Sequence, residues 1–130
     1  ITGMGGNAGT QTLTLICRSI ALGEIDKSNS LSTLFKEIIS GIFNGLVVGL
    51  LVGTVGYGLS KNIWIGVIVG GSMLINMVVA VIAGFGIPLF LNKIKVDPAV
   101  ASAVFVTTFT DAVGFTVFLG LATVFIEKLV

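Results

Sequence analysis

The stretch VFVTTFTDAVGFTVFLGLATVFI, residues 104–126, suits hydrocarbon throughout except for one carboxylate at its middle, Asp111. About 20 apolar helical residues cross the roughly 30 Å core of a bilayer, so the stretch reads as a transmembrane helix. An ionised Asp at that depth costs about 2.5–3.5 kcal/mol even on lenient insertion scales. A residue kept at such expense calls for a partner or a task, and the surrounding sequence has to supply it.

The composition agrees with a membrane setting. Soluble domains carry about 25% charged residues, whereas this 130-residue chain has 10% charged and 55% hydrophobic. The expected class is an all-α membrane protein. A net charge of +1 without a basic run gives no sign of a nucleic-acid partner. Cys17 is the single cysteine and histidine is absent, which excludes a disulfide framework and zinc or haem chemistry. A metal handled here needs oxygen ligands, and that points to hard cations such as magnesium or calcium. The chain starts at Ile1 close to an apolar segment, without an initiator Met, which predicts a piece of something longer. No signal-peptide pattern is present.

Charged residues divide the chain into four predicted spans, residues 2–22, 38–59, 63–91 and 98–126, within one membrane domain covering 1–130. The link SKN, residues 60–62, is so short that the second and third spans must run antiparallel. In DPAV, Asp97 suits the N-cap and Pro98 the first helical position, where its missing N–H costs nothing. Asp111 then lies about 20 Å along the helix, near the bilayer midplane. Arg18, Lys27, Lys36, Lys93 and Lys95 flank the first and third connections, and Lys61 and Lys128 lie on the other side. The positive-inside rule puts the former in the cytoplasm and the C-terminus outside. Trp64 fits an interfacial anchor on the outer side.

Several patterns bear on packing. Gly41, Gly45, Gly49 and Gly53 form a ridge on one helix face, echoed by Gly66 and Gly70, as in small-xxx-small helix packing. Pro88 removes a backbone hydrogen bond and predicts a bend or an end to the third helix. Asn76 and Asn44 read as interhelical hydrogen-bonding residues, either of which could face a pore. In the first span Asn7, Gln11, Thr14 and Arg18 share one wholly polar helical face. Gly3, Gly5, Gly6 and Gly9 make its start easy to unwind, which is tolerated at membrane depth only beside protein or water. That stripe reads either as a polar seam between helices or as the wall of a water-filled path. Thr107, Thr108 and Gly114 surround Asp111 with hydroxyls and little bulk. An Asp held by threonine or asparagine for structural reasons is the plain alternative to a functional one. No span carries a second acid, but a two-fold dimer would set two copies of Asp111 across one axis, favouring a divalent ion.

GGNAGTQ, residues 5–11, followed by LICRSIALGEI resembles the second transmembrane helix of the MgtE-type magnesium channel family. DPAVASAVFVTTFTDAVG, residues 97–114, resembles that family's fifth helix and the loop before it. The resemblance extends over essentially the whole chain. It implies four of the family's five helices per chain, with the first missing, and a pore on the axis of a two-fold homodimer. It implies hydrated Mg²⁺ bound by Asp111 of both subunits, assisted by main-chain carbonyls of Gly6, Gly9 and Thr107. Asn7 and Gln11 belong to the first motif and would support that site, with Thr14, Thr108 and Gly114 along the path. Asp97 matches an acid at the cytoplasmic mouth. The sequence departs from the family at Ala103 and Val104, where members commonly have Gly or Asn followed by Pro. The cytoplasmic sensor domains of bacterial members are not in these 130 residues.

The expected activity is passive Mg²⁺ uptake down its electrochemical gradient through a multi-pass protein of the plasma membrane, not an enzyme. Mn²⁺, Ca²⁺ and Co²⁺ are further candidate ions. Mg²⁺ parts with its waters reluctantly, and one acid per chain is too few for a dehydrated cage. Asp111 and carbonyls would therefore hold the hydration shell rather than the bare ion. Two other readings are a proton- or sodium-coupled divalent cation exchanger and a non-transporting membrane scaffold built on the glycine ridge. An intramembrane aspartyl protease fails on motif, because its second acid and glycine-aspartate signature are absent.

Overall fold

The computed structural model of the chain describes residues 1–24 and 29–130, so Lys27 of the first connection lies outside the described residues. Its helices are α1 (Thr2–Ala21), α2 (Ser30–Ser60), α3 (Ile63–Lys93), α4 (Pro98–Val124) and the short α5 (Ile126–Leu129), and no strand occurs among the described residues. Three of them, α2, α3 and the part of α4 from Ser102 onward, are long and apolar enough to cross a membrane. α1 carries Asn7, Gln11, Arg18 and a series of threonines, and it does not reach that threshold by composition.

α3 is the hub. Of an apolar 18-residue stretch of α3, 44% is buried, against 17% for those of α2 and α4. α2 lies along one side of α3, while α1 and α4 pack on α3 elsewhere and on each other. The glycine ridge accounts for the α2 side. Gly41, Gly45, Gly49 and Gly53 are the buried residues of α2. A Cβ added at Gly49 would lie 2.8 Å from the Gly70 carbonyl oxygen, and one at Gly53 2.8 Å from that of Gly66. The two backbones touch, and small-residue packing is what permits it.

The α2–α3 turn and the C-terminus are joined at one end of the bundle. Lys61 ends α2 in the left-handed conformation, with φ of 58°. The Asn62 side chain then caps α3, accepting from the Trp64 N–H at 2.9 Å, and its Nδ2 donates to the Lys128 carbonyl at 3.1 Å. Trp64 stacks on Phe125 with ring centroids 5.2 Å apart, and the Lys128 ammonium lies 5.4 Å from the Trp64 ring centre. The Thr12 hydroxyl of α1 donates to Glu37 of α2 at 3.4 Å. That link lies toward the opposite end, with Arg18, Lys36 and the α3–α4 turn.

Several expectations need correction. α2 begins at Ser30 rather than at residue 38; Lys36 and Glu37 mark the limit of an apolar span, but charges do not stop a helix. The glycine-rich start of α1 is regular helix from Thr2. Gly5, Gly6 and Gly9 are buried there, so close packing holds a segment whose composition favours unwinding. α3 runs through the buried Pro88 as far as Lys93, instead of ending near residue 91. The fourth helix stops at Val124, and Phe125 separates it from α5. Asn76 is fully buried and hydrogen-bonds between helices, whereas Asn44 is exposed on the outer face of α2.

Candidate functional site

α4 presents Ser102, Val106, Thr110 and Gly114 to the interior, one residue per turn. α1 passes it antiparallel. A Cβ at Gly9 would lie 2.6 Å from Val106 Cγ1, and one at Gly6 3.9 Å from both Thr107 Cγ2 and Thr110 Oγ1. Higher up, a Cβ at Gly114 would lie 3.1 Å from Thr2 Cγ2. Small residues thus hold α1 and α4 together along their length. Thr107 is exposed although it borders Gly6, which puts it at the lip of the seam.

Asp111 follows Thr107 by one turn on the same ridge of α4. It is half-buried. Among the described residues no hydrogen bond or ion pair engages its carboxylate. It stands about 20 Å along α4 from Pro98 and a similar distance from Val124. Thr108 is exposed beside it.

The polar residues of α1 face away from this packing. Asn7, Gln11, Thr14 and Arg18 are all exposed, opposite the buried arc of Gly5, Gly6, Gly9, Thr12, Leu13 and Ile16. The stripe is therefore not a seam within the chain, since none of its four side chains is buried against α3 or α4.

The structure brings Gly6 beside Thr107, one turn from Asp111 on α4, and the other expected residues are more dispersed. The Gly9 carbonyl is turned toward Gly84 of α3, where an added Cβ would overlap it. The Thr107 carbonyl accepts a hydrogen bond from the Thr110 hydroxyl at 3.0 Å. Gly114 is buried against Asn76 and Thr2 rather than lining a path. Asp97 is exposed at the end of the α3–α4 turn. Among the described residues no three His, Cys, Asp or Glu side chains cluster.

Sequence reasoning passed over Thr110 and the Thr12–Glu37 contact. Thr110 was detectable, because Ser102, Val106, Thr110 and Gly114 repeat every four residues and mark the packed face. Thr12 and Glu37 are 25 residues apart, and no local signal pairs them. A hollow of about 490 Å³ runs along the α2–α3 glycine ridges, lined by Gly49, Gly53, Gly66, Gly70 and apolar neighbours. It includes none of Gly6, Thr107 and Asp111.

Three helices able to cross a membrane, with a carboxylate half-way along one of them, define an integral membrane protein. Residues 1–121 match the family model of MgtE, a divalent cation transporter. The chain belongs to the MgtE family. It is 34% identical over 129 residues to the magnesium transporter MgtE of Bacillus subtilis, covering 99% of this chain and 29% of that protein. It is 35% identical over 130 residues to the magnesium transporter MgtE of Enterococcus faecalis, with 100% and 29% covered. Against the magnesium transporter MgtE of Thermus thermophilus the identity is 32% over 132 residues, covering 98% and 28%. The chain thus spans less than a third of the length of these relatives.

Proposed function

We propose that this chain forms half of the permeation path of a divalent cation transporter, with Mg²⁺ as its substrate. The observation that carries the reading is Asp111, half-exposed half-way along α4, one turn from the Thr107 that borders Gly6, and unpaired among the described residues. α1 is the fourth crossing helix. A two-fold partner meets the exposed face of α1 and the lip of α4, so that Asn7, Gln11, Thr14, Thr107 and Thr108 border water between the subunits. Two Asp111 carboxylates then face one ion across the axis, and each is relieved of its cost in hydrocarbon by the shared charge.

Mg²⁺ holds its octahedral water shell tightly. With one acid per subunit, the site binds the hydrated ion: carboxylates and the Gly6, Gly9 and Thr107 carbonyls accept hydrogen bonds from its waters. For the Gly9 carbonyl, which faces Gly84 here, that role requires α1 to turn or loosen at its glycines. Binding through water is strong enough to select a doubly charged ion and weak enough to release it. The membrane potential supplies about 2.3 kcal/mol per charge per 100 mV, roughly 4.6 for a divalent ion moving inward, so no coupled ion is needed. The C-terminus lies outside and Asp97 at the cytoplasmic mouth of a plasma-membrane protein. Mn²⁺, Ca²⁺ and Co²⁺ are the competing substrates to test.

A scaffold function loses its main support, because the glycine ridge of α2 is already occupied by α3. The decisive test is Mg²⁺ flux into liposomes from the full-length protein and its Asp111→Asn variant. Flux at zero opposing cation gradient, abolished by the substitution while the dimer stays folded, is the expected result. Undiminished flux removes Asp111 from the path, and a strict need for a proton or sodium gradient replaces the passive mechanism with exchange.

A further inference from the structure

Asn76 is the buried polar residue of α3 for which the permeation path leaves no use. Its side chain is 0% exposed. The Nδ2 donates to the Ile1 carbonyl of α1 at 3.2 Å, and Oδ1 finds no partner. The same Ile1 oxygen also accepts from the Gly5 N–H at 3.2 Å, so the amide joins the first helical hydrogen bond of α1. Only the N–H side can face a carbonyl, which settles the orientation of the amide.

A glycine of each of α1 and α4 stands against this side chain. A Cβ at Gly5 of α1 would overlap the amide nitrogen and lie 2.8 Å from Cγ. One at Gly114 of α4 would lie 3.0 Å from Nδ2 and 3.2 Å from Cγ. A single amide is therefore in contact with the backbones of both helices that border the proposed path. Gly114 follows Asp111 by three residues on α4, and Gly5 immediately precedes Gly6 on α1.

We infer that Asn76 is a positioning residue: its amide fixes the level of α1 on α3, against which α4 also packs at Gly114, and with it the height of Asp111 relative to the α1 glycines. The idea rests on the permeation reading for its functional consequence but not for its structural one. Leucine, with the same branched skeleton of heavy atoms but apolar, would occupy the site without an orphaned acceptor. If packing were the whole role, leucine would serve as well or better. A hydrogen-bonding amide instead ties α1 at one height, because the bond has a preferred distance and direction that apolar contact lacks.

The test uses the full-length protein in liposomes, with Cys17→Ser, and spin labels at Leu15→Cys on α1 and Phe109→Cys on α4, both exposed and outside the proposed path. Labelled subunits are diluted among unlabelled ones so that one intrasubunit distance is read. Asn76→Leu is expected to shift or broaden that distance and to raise the half-saturating Mg²⁺ concentration about ten-fold, with the unfolding temperature kept or raised. An unchanged distance overturns the inference whether or not ions flow. A changed distance with half-saturation and maximal flux both at the unsubstituted level also overturns it. A changed distance in a protein that carries no Mg²⁺ even with Asn76 in place upholds the register role and sinks the permeation reading instead. Should Asn76→Leu fail to fold, Asn76→Ala/Gly114→Ala refills part of the space without the amide, and the same readouts apply.

Discussion

Gly66 and Gly71 lie five residues apart on α3 and have opposite surroundings. A Cβ at Gly66 would be 2.7 Å from the Gly53 oxygen of α2, whereas one at Gly71 would meet nothing within 4 Å. Gly66→Ala has to push two backbones apart and should cost about 1–3 kcal/mol, the usual penalty for overpacking. Gly71→Ala gains helix propensity in open space and should be neutral or mildly stabilising, within about 1 kcal/mol. Thermal unfolding of both variants in one detergent checks the contrast, and equal effects would contradict close α2–α3 packing. The ridge was legible at this scale because small residues four apart line one helix face. What opposes each of them was not. Gly41 is met by Val81, Gly45 by Leu74 and Gly53 by backbone, and only the crossing geometry decides that.

At the scale of elements, the end of the bundle that carries the α2–α3 turn and the C-terminus is fastened by side chains that the sequence leaves unconnected. Trp64 reads as an interfacial anchor, and in the structure it also stacks on Phe125 beneath the Lys128 ammonium. Trp64→Ala removes an aromatic pair and a cation–π contact, about 1–2 kcal/mol together. Because these contacts fasten a short terminal helix, the loss should be local. Amide hydrogen exchange in residues 125–129 should quicken while α3 and α4 stay protected; uniform acceleration would show that the contact holds the whole bundle. The limits of the elements were legible where a short polar link or a proline marks them, as at residues 60–62 and Pro98. They were misjudged at Ser30, where a charged amphipathic turn extends α2 past the apolar run, and at the glycines of α1, where burial overrides propensity.

For the whole molecule, the notable feature is a polar face left uncovered. Asn7, Gln11 and Thr14 of α1, with Thr107 and Thr108 of α4, are exposed, and exposed polar groups at membrane depth need water or another protein. If a second copy meets this face, Thr108→Cys in a Cys17→Ser background should form a subunit-to-subunit link with a short bifunctional thiol reagent in membranes. Phe43→Cys, 67% exposed on the outer side of α2, should not. A monomer band from Thr108→Cys, with the same reagent reacting at single thiols, would count against the two-fold path.

Composition and periodicity alone settled that this chain belongs in a membrane, where its apolar helices lie, and that Asp111 sits far from either end of its helix. Those properties follow from hydrophobicity summed along a helix and from a fixed rise per residue, and both are local. That Thr107 borders α1 at Gly6, that the α1 stripe is left open, and that Asn76 is enclosed between α1 and α4 were decided by the tertiary structure. Each depends on where a glycine lets two backbones approach, and such a contact is defined only once both partners are in place.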